Sequence, residues 1–192
     1  MRKRVGVCLI ALAVLLISVP RSKADTIFTA TLAGSNETPP NTSMATGFIT
    51  VDLNGNILSV NETFSGLIDP GSAAHIHCCA GPGVAAVVAV PFTGFPAAKS
   101  GTYTNSFDLT QLATYNSAFV TATGGTVASA ESTFLAALFA GQTYANIHDA
   151  TFPSGEIRGQ LAQVPEASTL AFLVMGLAML ALWKLRGHRL MA

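Results

Sequence analysis

The stretch DLNGNILSVNETFSGL, residues 52–67, constrains this chain more than any other. Asn54-Gly55 lies between alternating flanks, a strong signal for a two-residue β-hairpin, because asparagine and glycine reach the positive φ that such turns demand. In the arm before the turn, Ile49, Val51 and Leu53 share one face and Phe48, Thr50 and Asp52 the other. The aliphatic set is expected to face a core. Further strands are expected at 26–34, 73–78, 84–90, 101–108, 143–149 and 156–163, separated by Gly, Pro, Ser and Thr at the spacing of β-sandwiches and barrels. One segment departs from this texture. In SAESTFLAALFAGQ (129–142), Phe134, Leu135, Leu138 and Phe139 form a helical stripe, and Gly141 suits the position after a helix end. The reading is an all-β antiparallel domain with one short helix.

Apolar blocks bracket this domain. Arg2, Lys3 and Arg4 precede an apolar run from Val5 to Val19, and Ser22-Lys23-Ala24 places small residues at −3 and −1 of a cleavage site. That order is a secretory signal peptide over residues 1–24, cleaved after Ala24. Fifteen helical residues span only about 22 Å, short of a hydrocarbon core of roughly 30 Å. At the other end, Leu170 to Trp183 carries no polar side chain, and Lys184, Arg186, His188 and Arg189 follow. Being apolar all round, the block is expected to be a membrane segment over 167–185, its basic end in the cytoplasm and the domain outside.

Between them lie residues 25–163, an ordinary size for one domain. This part keeps only Lys99 and Arg158 against nine acids, so two minus nine leaves −7, although the whole chain is neutral. Such a charge excludes a nucleic-acid partner, which needs cations to displace phosphate counterions.

The chemistry concentrates in AHIHCCAGPG, residues 74–83. On a strand, alternate side chains share a face about 6.5–7 Å apart, so His75 and His77 point the same way and can converge on one metal ion. His148, in YANIHDA, offers a third nitrogen from another strand; the phrases AHIH and ANIH suggest related positions. Three histidines with a fourth position open suit copper or zinc. Cys78 and Cys79 are additional candidate ligands. Adjacent cysteines cannot staple a long loop, which leaves a vicinal disulfide, a bond to a partner chain, thiolate ligation or buried thiols. In FPSGEIRGQL (152–161), Glu156, Arg158 and Gln160 share a face, and Glu156 with Arg158 is the expected structural ion pair.

Two resemblances follow. AAHIHCCAGPG, the segment FLAALFAGQTYANIHDATFPSGEIRGQL and the opening TATLAGSNETPP resemble the CHRD domain, named for chordin. The adjacent cysteines depart from the usual pattern. The resemblance implies a β-sandwich with Ig-like or superoxide-dismutase-like Greek-key architecture and no established catalysis. Val164-Pro165-Glu166, with the apolar block and basic tail after it, resembles the PEP-CTERM sorting signal of Gram-negative bacteria over 164–192, departing at Ala167, where a second proline is usual. That resemblance implies an exosortase-type membrane protease as partner and a place on the cell surface or among exopolysaccharide components.

The expected function is therefore a non-enzymatic, exported, surface- or matrix-associated binding protein, with an extracytoplasmic copper or zinc domain as the alternative. Superoxide dismutase chemistry needs more histidines than the domain holds. No Ser or Cys nucleophile is tied to a base, which argues against a hydrolase.

Overall fold

The computed structural model describes residues 25–165 and 172–180. In chain order the strands are β1 (Thr26–Ala33), β2 (Thr46–Asn54), β3 (Ile57–Ser65), β4 (Ala73–Cys78), β5 (Val87–Pro91) and β6 (Gly101–Asp108). Two helices follow, α1 (Ser117–Ala122) and α2 (Val127–Phe139), and then β7 (Thr143–His148), β8 (Ile157–Gln160) and β9 (Ala162–Gln163). The strands pair antiparallel in the order β5-β4-β7-β8-β1-β2-β3-β6, with β9 also on β1.

The β2–β3 hairpin closes at the pair Asn54↔Ile57, so its two loop residues are Gly55 and Asn56, one position later than the dipeptide suggests. Only Gly55 has positive φ (61°), the pattern of a turn with glycine first rather than one with two left-handed residues. Ile49, Val51 and Leu53 are buried as their alternation requires.

The expected two-layer sandwich is realised as one curled sheet. The halves β5-β4-β7-β8 and β1-β2-β3-β6 face each other, joined at the pair Ala33↔Arg158 and, further along, by β9 on β1. After that pair the chain leaves β7 and runs onto β1, where Phe28 pairs with Gln163. Gly159 makes the crossing. A Cβ there would sit 2.6 Å from the Thr31 carbonyl oxygen and 2.9 Å from the Ala30 Cβ. At the other margin Phe92, just past β5, stacks on Tyr103 and Phe107 of β6 at 5.0 and 6.0 Å, so aromatic contact brings the two ends of the sheet together. Phe28, Leu32, Ile49, Leu58, Ile76 and Ile147 fill the space between the halves, each contributing about 1.5–3 kcal/mol by leaving water.

α2 starts two residues before the expected segment, at a capping box in which Thr126 and Ser129 satisfy each other's backbone. It ends as the sequence indicates. Gly141 (φ 67°) donates to the Leu138 carbonyl at 3.1 Å and Gln142 to that of Ala137 at 2.8 Å, the Schellman arrangement. Phe134 and Leu138 are buried, whereas Phe139 is half exposed and packs edge-to-face with Phe28. α1 was not expected, since six residues are too few to show a period. Asn116 caps it, and its own amide docks on the Ala89 carbonyl.

Among the described residues, no helix is long and apolar enough to cross a membrane. Residues 172–180 of the C-terminal apolar block are helical. The expected signal peptide, Glu166 and the rest of the expected membrane segment lie outside the described residues.

Candidate metal centre

The pleat sorts β4, β7 and β8 into two faces. Ala74, Ile76, Ala145, Ile147 and Ile157 enter the core, which leaves His75 and His77, then Tyr144, Asn146 and His148, then Arg158 and Gln160 on the outer face. Register aligns them into rows: His75 is opposite Asn146, which is opposite Arg158, and His77 is opposite Tyr144, which is opposite Gln160. An outer polar face would ordinarily be solvated. Here segments 34–41, 79–86 and 149–155 fold over it, so Asn146 and Arg158 are 2% and 3% exposed.

The three predicted histidines meet. His75, His77 and His148 each offer a nitrogen, and these nitrogens all lie within 4.8 Å of one another. A tetrahedral ion holding them at about 2.0–2.1 Å would set them roughly 3.4 Å apart, so the rings would have to turn inward to hold one. A bulge supports this spot: the β4–β5 register shifts between Ile76 and His77, and bulges re-aim side chains beside functional sites.

Backbone carbonyls select the imidazole tautomers. His77 Nδ1 lies 2.9 Å from the Ala86 oxygen and His148 Nδ1 lies 3.0 Å from the Pro153 oxygen. A carbonyl only accepts, so each Nδ1 carries the proton and donates it. The Nε2 lone pairs are thereby free, and both aim at Asn146 Oδ1, at 3.0 and 3.1 Å. Two lone pairs and a carbonyl oxygen converging in a buried place repel one another unless a cation lies among them or the Asn146 amide turns over to donate. Anchoring the far nitrogen is how ligating histidines are commonly oriented.

Burial holds all three rings neutral, the state in which they bind metal. His75 is pushed down to about 4 by burial, and by His148 and His77 beside it. Burial lowers His77 and His148 as well. His75 Nδ1 is buried without a hydrogen-bond partner among the described residues. His75 also lines a cavity of about 270 Å³ with Ser72, Phe92 and Phe95.

Cys78 and Cys79 are joined as a vicinal disulfide. This corrects their place as candidate ligands, because a disulfide has no thiolate to offer and the Cys78 side chain faces the core. The expected Glu156–Arg158 pair is also replaced. Glu156 precedes β8 and accepts from Ser43 Oγ at 2.6 Å and the Ile68 amide at 3.0 Å. Arg158 donates to the Val84 carbonyl at 2.9 Å and Thr38 Oγ1 at 3.3 Å, with its guanidinium 3.3 Å above the Tyr144 ring. Glu156 stands instead against Asp149. Burial and the Asp149 charge push Glu156 up; against the cost of burial, the Phe152 and Asp69 amides hold Asp149 down as the carboxylate. The pair braces the 149–156 turn, which supplies the Pro153 carbonyl to His148.

Asn146, Tyr144 and Glu37 complete the surroundings; none was expected as a site residue, although all three lie in the segments that carry the CHRD resemblance. Alternation in TYANIH would have placed Tyr144 and Asn146 beside His148. Glu37, in the SNETPP turn, reaches the site from the far segment 34–41, where burial raises it against the pull of Arg158 and the Asn146 amide.

The sequence profile of the CHRD domain matches residues 28–161. The chain belongs to the CHRD family. No curated protein and no solved structure matches it.

Proposed function

We propose that this chain is an exported, non-enzymatic CHRD protein whose domain binds one copper or zinc ion through His75, His77 and His148. The observation that carries the reading is the convergence of three neutral imidazoles, two of them with the far nitrogen anchored on a backbone carbonyl. Three nitrogen ligands and an open position suit capture or delivery of an ion. From the order of the terminal segments we further propose export by residues 1–24, and sorting through Val164-Pro165-Glu166 and the apolar block by an exosortase-type protease. The protein would then reside at the surface or in the exopolysaccharide matrix of a Gram-negative bacterium.

The test is metal content. The full chain, exported by a bacterial host and purified without chelator or His-tag, should carry about one copper or zinc per chain by mass spectrometry. The His75→Ala/His77→Ala variant should carry none. A folded protein that takes up neither ion, even after loading with each, would overturn the metal reading.

A further inference from the structure

Asn146 lies at the centre of the outer face, on β7 between His75 of β4 and Arg158 of β8, and is 2% exposed. Its Oδ1 is 3.0 Å from His77 Nε2 and 3.1 Å from His148 Nε2. Both nitrogens are acceptors, because each ring spends its proton on a carbonyl through Nδ1. Three acceptors in buried contact need a donor or a cation among them. Turning the amide over would supply the donor, and the surroundings oppose it. The Asn146 amide nitrogen faces the Glu37 carboxyl and draws it down against the effect of burial. Gly155 leaves room for that contact: a Cβ there would overlap both Glu37 Oε1 and Asn146 Nδ2. A turned amide would set its oxygen against the carboxyl and take away the donor that now faces it.

The spacing agrees with the chemistry. An ion about 2.0–2.1 Å from each ligand sets tetrahedral neighbours roughly 3.4 Å apart, and Oδ1 already stands near that distance from two of the three imidazoles. We propose that Asn146 Oδ1 is the fourth ligand, that Glu37 positions it, and that the site is built for a divalent ion, zinc or copper(II), rather than copper(I). Copper(I) is selected by soft thiolate and thioether sulfur, and Cys78 and Cys79 are withdrawn in their disulfide. A neutral amide oxygen is a weaker ligand than imidazole for these ions. It is therefore the ligand that an incoming acceptor displaces when the ion is delivered. The fourth ligand presupposes the three-histidine site proposed above.

The experiment is competition of the exported full chain with chromophoric chelators for zinc and, under ascorbate, for copper(I). Asn146→Leu nearly keeps the volume and removes the oxygen. It should weaken zinc binding at least about tenfold and change copper(I) binding by less than about threefold. Asn146→Asp/Glu37→Gln exchanges the amide and the carboxylate, so an oxygen still faces the ion and a donor still faces an acceptor. This double variant should bind zinc no more weakly than the native chain, and it decides the matter alone if Asn146→Leu fails to fold. Thermal melting of each metal-free variant shows whether it folds. Three results would overturn the fourth ligand and leave the histidine site standing. These are unchanged zinc affinity in a folded Asn146→Leu chain, equal losses of zinc and copper(I), or a folded double variant at least about tenfold weaker for zinc than the native chain. A native chain that takes up no ion would overturn the histidine site and the fourth ligand together.

Discussion

His77 lies flat on Tyr144, with ring centroids 4.6 Å apart and planes 4° from parallel. β4 and β8 flank β7, so the Arg158 guanidinium at 3.3 Å covers the opposite face of the same ring. One tyrosine thus lies between the histidine cluster and Arg158, and each contact can be tested.

Tyr144→Phe keeps the stack and loses only the bond that the Ala86 amide donates to the hydroxyl at 3.1 Å. It should cost about 1 kcal/mol and leave metal stoichiometry intact. Tyr144→Ala opens a cavity and frees both neighbours. Taking Phe→Ala as a guide, it should cost about 3–5 kcal/mol and weaken metal binding. Urea denaturation and metal titration of both variants check this.

Glu62 sits on the core face of β3, fully buried, with neither carboxyl oxygen hydrogen-bonded among the described residues. Burial pushes it up to about 8 from an ordinary 4.5. Between those values the unfolded chain has lost the proton and the folded one keeps it, so stability falls as pH rises from about 4.5 to about 8 and levels off above. Glu62→Gln should abolish this limb, worth on the order of a few kcal/mol. Denaturation midpoints of both proteins at pH 5 and pH 8 measure the difference directly; parallel curves would defeat the assignment.

Gly159 is held by contact rather than by φ. A methyl group there meets the Thr31 carbonyl oxygen at 2.6 Å and the Ala30 Cβ at 2.9 Å, neither of which can give way without moving β1. Gly159→Ala should cost at least about 2 kcal/mol by forcing β8 from β1. The melting temperature of this variant, beside an exposed control such as Gly81→Ala, tests the claim; Gly81 has nothing within 4 Å of its added Cβ.

The Cys78–Cys79 bond closes no loop, its partners being adjacent, so chain entropy assigns it little stability. Cys78→Ala/Cys79→Ala should shift the denaturation midpoint only slightly and leave one ion per chain. Loss of the ion from a variant that still folds would return sulfur to the coordination sphere.

Local patterns in the sequence determined a good deal. Alternation declared the strands and put Ile49, Val51 and Leu53 inside. The turn at Asn54-Gly55-Asn56 made the first hairpin, and the stripe with Gly141 made α2. The period of two put His75 and His77 on one face. Each is set by neighbours within a few positions, where steric preference and hydrophobic period act directly. What surrounds those histidines was settled elsewhere. Only the pairing of β4 with β7 sets AHIH beside ANIH and brings His148 and Asn146 into reach. Only the segments folded over the outer face bury it and supply Glu37 and the Ala86 and Pro153 carbonyls. Glu156 and Arg158 share a stretch of sequence, yet Ser43, Ile68, Thr38 and Val84 took their hydrogen bonds. Such contacts join residues tens of positions apart, and strand order, which no local period encodes, decides which of them meet.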